Sequence, residues 1–456
     1  MPAFPFPDSS TPGVRAGEGE GRYVNCEPLK EGERSYVRRV PGLAQGANVG
    51  GTGVRGMLDV NGVIYLVIGT AVKTVSGATV TTLSGTISGT DGVTMARNNR
   101  VTAGASTPDV VAVRESGGAY VLTSSTVSSY PDADLPATVN SVDFMGGYFL
   151  FSLPDGRLFA SELNSTAINA LSFTTAEARA DGLRRIVVQG NIAYAMGGST
   201  IEPYLNVGTS PFPLQRSPSV LPTGLLTTMA VAGFEEAWNR ALYYVASDFT
   251  VRSLSGYSDA VVSTPDVQRF IAASTASAIE MLVFQWDGRG YVAISSNIGT
   301  WVLNVNSGSW HERVSASLSR WRAQRSVYSG SAWVMGDTAS GYLQSPSATL
   351  TEAGAALGGY IQSGFLKDFP ANISAKLNAD FSEASLDMLV SWSRNGGKTF
   401  ATELTRSLTN TEKAPVSVSN LGRSTQHGFI VKFRWTGSAD FSFSGATADR
   451  LGRGQV

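Results

Sequence analysis

The residue types that most often carry catalysis are scarce in this sequence. His311 and His427 are the two histidines, and Cys26 is the one cysteine. The histidines show neither HxxxH nor HxxE spacing, so a histidine metal site or a histidine general base has little material to work with. A single cysteine also excludes an intramolecular disulfide and a multi-cysteine zinc site. We therefore predict no catalytic residues, no metal and no cofactor.

Two motifs resemble signatures of known chemistry but lie in the wrong setting. Gly51, Gly53 and Gly56 match the spacing of a dinucleotide-binding fingerprint, yet strand-forming residues follow them where the fingerprint needs a helix. The segment GYSDA (256–260) loosely resembles a nucleophile elbow, without a strand-to-helix setting or a convincing downstream histidine. We interpret Ser258 as a turn residue and expect no cofactor at the glycines.

Two further patterns could indicate sugar binding. The segment SRNGGKTF (393–400) resembles the Asp-box of sialidase-like propellers, with Asn395 where aspartate is usual. In those enzymes the box is a structural hairpin turn, which is our interpretation here. Five tryptophans lie in consecutive predicted strands: Trp286, Trp301, Trp310, Trp321 and Trp333. They could form a stacking platform for a carbohydrate, but such a series is more typical of packing between strands.

Clusters of arginine are the remaining candidates for chemistry. The candidates are Arg97, Arg100, Arg184, Arg185, Arg320, Arg322 and Arg325. Each cluster could be a solvated loop or a subunit salt bridge, and rings of arginine around a pore could contact passing phosphates. No lysine occurs between Lys73 and Lys367, and arginine suits bidentate contacts at packed interfaces. An arginine-preferring genome explains this bias equally well.

The elements that would position these side chains are predicted to be β-strands. Among 456 residues, 50 glycines and 19 prolines indicate many short strands joined by turns, and long helical patterns are missing. The hydrophobic content of 42% supports a buried core. The net charge of −1 provides no global field that would hold the protein on nucleic acid or an anionic membrane. We predict an all-β protein.

Residues 1–48 differ from the rest of the chain. Their prolines and glycines predict an extended arm that cannot form a helix and has few residues to bury. The first residues have neither a basic start nor a continuous apolar segment, so we expect no secretory signal peptide. No stretch approaches the length of an apolar transmembrane span. A protein that folds in the cytoplasm fits these features.

Residues 49–345 contain repeated strand pairs separated by turn residues. The pairs Asn61-Gly62, Gly146-Gly147 and Asp287-Gly288 lie between runs of apolar, β-branched residues, as in tight hairpins. The units recur at roughly 45 residues, the length of one propeller blade. We predict a β-propeller of six or seven blades, followed at 346–456 by a β-sandwich.

The order of several segments resembles one protein family. The segments are YVNCEP (23–28), RRVPGL (38–43), VRGMLDVNGVIYLVIGTAVKTV (54–75) and GLRRIVVQGNIAYAMGGSTIEPYLNVGTSPFPLQR (182–216). They are similar to the tail-hub or nozzle proteins of short-tailed double-stranded DNA bacteriophages, also called packaged-DNA stabilisation proteins or tail accessory factors. The resemblance extends from about residue 23 to 239 and continues more faintly to the C-terminal β domain.

The resemblance implies a structural virion protein without catalysis. Each subunit would combine a β-propeller with a platform built from the arm and the C-terminal sandwich. A homo-hexamer would form a ring below the portal and adaptor, contact fibres or a distal tail protein, and extend the DNA channel. The seven arginines would then make transient, non-specific contacts with double-stranded DNA. The alternative is a phage-borne β-propeller that binds or hydrolyses host glycans.

Overall fold

A computed structural model gives the structure of the protein and describes residues 2–15, 18–99, 108–176, 178–366, 369–370, 372–382, 385–409, 414–425 and 428–451. Within these ranges nearly all of the regular secondary structure is β-strand, and the predicted all-β propeller fold is confirmed. No described helix is both long and apolar enough to span a membrane.

The strands are numbered in chain order. The first twenty are β1 (Gly21–Val24), β2 (Cys26–Glu31), β3 (Arg34–Arg39), β4 (Gly42–Asn48), β5 (Val54–Val60), β6 (Val63–Ile68), β7 (Ala71–Ser76), β8 (Thr79–Thr86), β9 (Val93–Arg97), β10 (Val110–Arg114), β11 (Ala119–Leu122), β12 (Val127–Ser129), β13 (Ser141–Met145), β14 (Tyr148–Ser152), β15 (Arg157–Ser161), β16 (Ile168–Thr175), β17 (Leu183–Gln189), β18 (Ile192–Gly197), β19 (Ile201–Asn206) and β20 (Leu214–Arg216). The others are β21 (Val231–Ala232), β22 (Leu242–Val245), β23 (Val251–Ser255), β24 (Ser258–Val261), β25 (Glu280–Trp286), β26 (Arg289–Ser295), β27 (Thr300–Asn304), β28 (Ser309–Glu312), β29 (Ala323–Ser329), β30 (Ala332–Asp337), β31 (Tyr342–Ser347), β32 (Thr351–Glu352), β33 (Ala355–Ala356), β34 (Gly359–Ser363), β35 (Ala375–Ser382), β36 (Asp387–Ser393), β37 (Leu404–Ser407), β38 (Ala414–Val418), β39 (Ile430–Trp435) and β40 (Ser442–Arg450).

The chain divides into two compact units. Residues 45–284 and 322–345 form the propeller unit, and residues 1–44, 285–321 and 346–456 form the sandwich unit. The segment 285–321, which the sequence analysis assigned to the propeller, thus clusters with the sandwich unit. The domain limits 1–48, 49–345 and 346–456 stay a prediction.

In the propeller unit, successive antiparallel sheets each use four consecutive strands. These sheets are β5–β8, β9–β12, β13–β16, β17–β20 and β21–β24, and the unit also contains β25 and β29–β31. The predicted turn at Asn61 and Gly62 is present, with φ angles of 56° and 83°, because this pair tolerates the left-handed region that a tight hairpin needs.

The core of the propeller unit lies between neighbouring sheets. One cluster packs Val67 and Val72 of the first sheet against Val110 of the second. The next clusters repeat this arrangement between the second and third sheets and between the third and fourth. No sheet buries its faces alone, which is the physical reason for the repeated design.

Three inner strands carry a bulge at an arginine. The register against the next strand shifts at Arg55 in β5, at Arg184 in β17 and at Arg325 in β29. Because a bulge adds one residue to a strand, these side chains do not follow the regular alternation of side chains between the two faces of the sheet. Arg55 donates to carbonyl oxygens of the segment that leads to the next sheet, and Arg184 does the same at Leu225 and Leu226. Both arginines therefore fasten one sheet to the next.

In the sandwich unit, two sheets enclose one core. Their orders are β26-β27-β28-β1-β34-β39-β36-β37 and β2-β3-β40-β35-β38. Tyr23, Cys26 and Val37 of the N-terminal strands lie in this core with Phe433 and Phe443. Residues 21–48, which were predicted to be an extended arm, form the strands β1–β4, and β1–β3 belong to these two sheets.

The described residues contain one α-helix, α1 (Pro265–Ala273), which the sequence analysis missed. Thr264 caps it by accepting a hydrogen bond from the Val267 amide, and Pro265 occupies the first turn. A cap residue followed by proline and an acidic residue was a readable signal. The helix is only nine residues long, too short to change the β-rich composition.

Candidate functional site

A cavity of about 350 Å³ lies on the axis of the propeller unit. Residues of seven inner strands or the segments beside them line it: β5, β9, β13, β17, β21, β25 and β29. Among the lining residues are three of the arginines that the sequence analysis singled out, Arg97, Arg185 and Arg325. The fold thus gathers side chains that are far apart in the sequence.

Arg185 is the most buried of these arginines, at 6% exposed. Its Nη1 donates to the Thr228 carbonyl oxygen at 3.0 Å, and its guanidinium lies 4.5 Å from the ring centre of Phe234. Burial lowers the pKa of Arg185 to about 10, which still leaves it charged at neutral pH.

Two carboxyl groups border the same cavity. Asp143 accepts hydrogen bonds from the Val188 amide at 2.7 Å and the Phe144 amide at 2.8 Å. Glu235 accepts from the Gly233 amide at 2.6 Å. Burial raises the pKa of Asp143 to about 6 and that of Glu235 to about 7, because an ionised carboxyl loses hydration there. Neither residue was predicted from the sequence, although FEEAW (234–238) places two acidic residues beside aromatic ones.

The other two arginines at the cavity are in ion pairs. Arg325 lies 3.0 Å from Glu280, and its Nε also donates to the Arg55 carbonyl oxygen at 3.2 Å. Arg97 lies 3.8 Å from Glu236. The cavity therefore combines fixed charges of both signs with an apolar wall.

The remaining arginine candidates lie elsewhere. Arg184 is half-buried and bound to the Leu225 and Leu226 carbonyl oxygens. Arg322 is buried and lies 2.7 Å from Asp337. Arg320 is in the sandwich unit, where its Nε donates to the Trp321 carbonyl oxygen at 3.2 Å. Arg100 lies outside the described residues. A role of these side chains as DNA contacts stays a prediction.

The histidines and the glycine motif were the other candidates for chemistry. His311 is buried beside Tyr291, and burial lowers its pKa to about 3; His427 lies outside the described residues. Gly51, Gly53 and Gly56 lead into strand β5. Among the residues that the structure describes, no group of three or more His, Cys, Asp or Glu side chains could hold a metal ion.

Four of the five candidate tryptophans are buried, and Trp286 is partly exposed at the end of β25. Trp301, Trp310, Trp321 and Trp333 are at most 5% exposed, so their rings cannot stack on a sugar. Asn395 closes a turn, since its Oδ1 accepts from the Thr399 amide at 3.0 Å and its Nδ2 donates to Thr399 Oγ1 at 2.8 Å. These contacts agree with our interpretation of 393–400 as a hairpin turn.

The raised pKa of Glu235 predicts a pH-dependent stability. The folded protein retains this proton up to about pH 7, whereas the unfolded chain loses it near the ordinary value of about 4.3. This contribution to stability is therefore lost as the pH rises from about 4 to 7, and it is absent above that range. We expect Glu235→Gln to flatten this slope and to stabilise the protein at pH 8 by about 3–4 kcal/mol.

Urea unfolding at several pH values measures this effect. Asp155→Asn is the matched control, because hydrogen bonding to Arg157 lowers the pKa of this exposed carboxyl. The control should leave the slope between pH 5 and 8 unchanged. Equal slopes in the Glu235→Gln variant and the unmodified protein would contradict the assignment of a buried proton to Glu235.

Comparison with protein families identifies the fold. The model of the phage-stabilisation family, described as the bacteriophage P22 Gp10 β-propeller, matches residues 24–348. The chain belongs to this family. Its membership in the phage-stabilisation family confirms the resemblance found in the sequence. Comparison with curated proteins finds no match.

The solved structures to which this member of the phage-stabilisation family is similar include a designed protein and two WD40 proteins. The computationally designed Ika8 protein matches at 12% identity and a TM-score of 0.40, over 75% of this chain and 99% of that chain. The WD40 propeller domain of Doa1 matches at 9% identity and a TM-score of 0.43, over 67% and 96%. The WD40 repeats of RRP9 match at 10% identity and a TM-score of 0.43, over 68% and 99%.

Proposed function

We propose that the protein is a structural component of a short phage tail, without catalysis. About six copies would close into a ring that continues the DNA channel below the portal and adaptor. The ring would retain the packaged genome, release it on ejection and contact fibres or a distal tail protein. The observation that carries this proposal is the match of residues 24–348 to a phage-stabilisation family.

The size of the axial cavity supports a passage between copies. A volume of about 350 Å³ is that of a small-molecule site, whereas the major groove of B-DNA alone is about 12 Å wide. A duplex cannot pass along the axis of one propeller. In the proposed ring, Arg97, Arg185 and Arg325 would reach DNA only where the cavity opens.

The charge of the protein suits a conduit. The net charge of −1 provides no uniformly basic surface, and a strongly basic wall would hold DNA by releasing its counterions. A near-neutral ring lets the polyanion slide. Retention would then depend on closure of the passage rather than on affinity.

Two measurements test the proposal. Mass photometry of the assembled protein should show a ring of about six copies. Phage particles made without the protein should lose nuclease protection of their genome, and supply of the protein should restore it. The Arg157→Ala variant, altered at a side chain 34% exposed on a hairpin, should restore it equally.

Two outcomes would contradict the ring. One is a monomer that stays monomeric in the presence of the portal and adaptor, and the other is a protected genome in particles that lack the protein. Hydrolysis of host glycans by the purified protein would instead favour the alternative function.

A further inference from the structure

Trp286 has different surroundings from other tryptophans of the protein. It is partly exposed and lines a cavity of about 450 Å³ in the sandwich unit. Several tryptophans donate their indole N–H to an oxygen of the fold: Trp238, Trp321, Trp392 and Trp435. In the part of the chain that the structure describes, the Trp286 indole has neither a hydrogen-bond partner nor a ring contact. It therefore offers an aromatic face and an N–H to a ligand.

Two ion pairs line the cavity with this indole. In the hairpin between β25 and β26, Arg289 Nη1 lies 2.9 Å from Asp287 Oδ2. On β3, Arg38 Nη2 lies 3.5 Å from Asp440 Oδ2. The four side chains are between 23% and 63% exposed, so a ligand in the cavity can reach their polar atoms.

The pairing of these charges disfavours a simple ion as the ligand. The other charged groups of the lining, Arg39 and Glu27, make hydrogen bonds within the fold. An anion would compete with Asp287 and Asp440 for the guanidinium groups, and a cation would compete with the guanidinium groups for the carboxylates. The lining therefore favours an uncharged polar ligand.

An indole beside ion pairs is complementary to a sugar. A pyranose ring has a face of C–H groups, which packs on an aromatic ring because the face of that ring is electronegative. The hydroxyl groups around the edge of the sugar both donate and accept hydrogen bonds, whereas a guanidinium only donates and a carboxylate only accepts. A paired arginine and aspartate can therefore satisfy one hydroxyl group in both ways. The volume of about 450 Å³ is within the range of small-molecule sites.

We propose that this cavity of the sandwich unit binds a neutral pyranose of a glycan. One face of the sugar packs on Trp286, and its hydroxyl groups form hydrogen bonds with the Asp287–Arg289 and Arg38–Asp440 pairs. The site adds glycan binding to the structural role and requires no hydrolysis. It belongs to the sandwich unit alone and does not depend on formation of the proposed ring.

Saturation-transfer NMR with the full-length protein tests this site. The probes are the methyl glycosides of glucose, galactose and mannose, and we expect at least one to bind, with the strongest transfer to the C–H protons of one ring face. The amino sugar and the uronate of the same configuration should bind at least about threefold more weakly, because each carries a charge that competes with an ion pair. A short DNA duplex should not displace the sugar, since Asp287 and Asp440 repel phosphate.

Variants locate the binding. Trp286→Ala should weaken binding by at least about tenfold, whereas Trp286→Phe keeps an aromatic face and should retain part of the affinity. Asp287→Asn removes a charged acceptor and should weaken binding by about threefold. Asparagine tolerates the φ angle of 51° at this position, so the hairpin keeps its shape. Tyr257→Ala is the matched control and should bind normally, because Tyr257 is an aromatic side chain 45% exposed that does not line the cavity.

Any of four results overturns the proposal. The first is no saturation transfer to any of the neutral glycosides at millimolar concentration, and the second is equal binding of the charged sugars. The third is unchanged binding in Trp286→Ala or, if that variant does not fold, in both Trp286→Phe and Asp287→Asn. The fourth is displacement of the sugar by the DNA duplex, which would make the cavity a phosphate contact.

Discussion

Replacing Arg313 with methionine is expected to lower the free energy of unfolding by about 3–5 kcal/mol. In the sandwich unit, the Arg313 and Glu352 side chains are 1% and 2% exposed, with Arg313 Nη2 2.9 Å from Glu352 Oε1. The same nitrogen donates to the Pro41 carbonyl oxygen at 2.7 Å, and the guanidinium lies 3.9 Å from the Trp321 ring centre. Methionine fills much of the space but leaves the Glu352 carboxylate buried without its cation.

The loss of stability should come from the Glu352 carboxylate, which stays buried without its ion-pair partner. Trp321 Nε1 donates to Glu352 Oε1 at 2.9 Å, and Ser315 Oγ donates to Oε2. Two neutral donors cannot fully compensate a buried charge. Arg313→Met combined with Glu352→Gln should therefore recover most of the lost stability, because the second change removes the charge.

Urea unfolding followed by tryptophan fluorescence measures these changes. Arg434→Met is the matched control, since Arg434 and Glu403 form an ion pair of 2.5 Å with side chains 35% exposed. Partly exposed pairs contribute about 0–1 kcal/mol, so this variant should be nearly as stable as the unmodified protein. Equal losses at Arg313 and Arg434 would show that burial of the pair is irrelevant.

Replacing Arg55 with alanine should destabilise the propeller unit by at least about 3 kcal/mol. The side chain is 6% exposed. Its Nε donates to the Asp91 carbonyl oxygen at 2.7 Å, its Nη1 to those of Gly69 and Ile87 at 2.8 Å each, and its Nη2 to that of Ser88 at 2.9 Å. Alanine leaves all four oxygens without this donor.

Arg55→Lys separates geometry from charge. An ammonium group has three donors on a flexible stem and cannot reproduce the planar fork of a guanidinium, so we expect lysine to restore less than half of the loss. Arg157→Ala, which removes a hairpin ion pair whose side chains are 34% and 50% exposed, is the control and should change the unfolding midpoint little. Full rescue by lysine would show that charge alone matters at this position.

The fold could be predicted from the sequence because each hairpin turn is specified by neighbouring residues. The pairs Asn61-Gly62 and Asp287-Gly288 adopt positive φ angles, and the apolar runs on both sides are strands. Each pair and its flanking runs occupy fewer than about 20 residues, within reach of pattern analysis. The family resemblance, confirmed over residues 24–348, depended on the order of such segments.

Only part of the candidate site could be predicted from the sequence. Arg184 and Arg185 are neighbours in the sequence, yet the bulge after Leu183 directs one to the Leu225 and Leu226 carbonyls and leaves the other at the cavity. The local sequence pattern does not predict such a shift in strand register. Asp59 and Ser326 come from opposite ends of the propeller segment, so only ring closure brings them to one cavity. The alternation of inner strands could not reveal this, because packing buries both of their faces.

The sandwich unit pairs strands that lie far apart in the chain: Gly21 of β1 pairs with Ser363, and Val37 of β3 pairs with Phe443. Five sheets of the propeller unit, from β5–β8 to β21–β24, each use four consecutive strands instead, so they can form while the ribosome is still translating. Strands β1 and β3 are synthesised long before the strands β34 and β40 with which they pair. Until then the backbone N–H and C=O groups on these edges lack partners and can pair with the wrong strand. Chaperone demand during biosynthesis should consequently concentrate on this N-terminal segment.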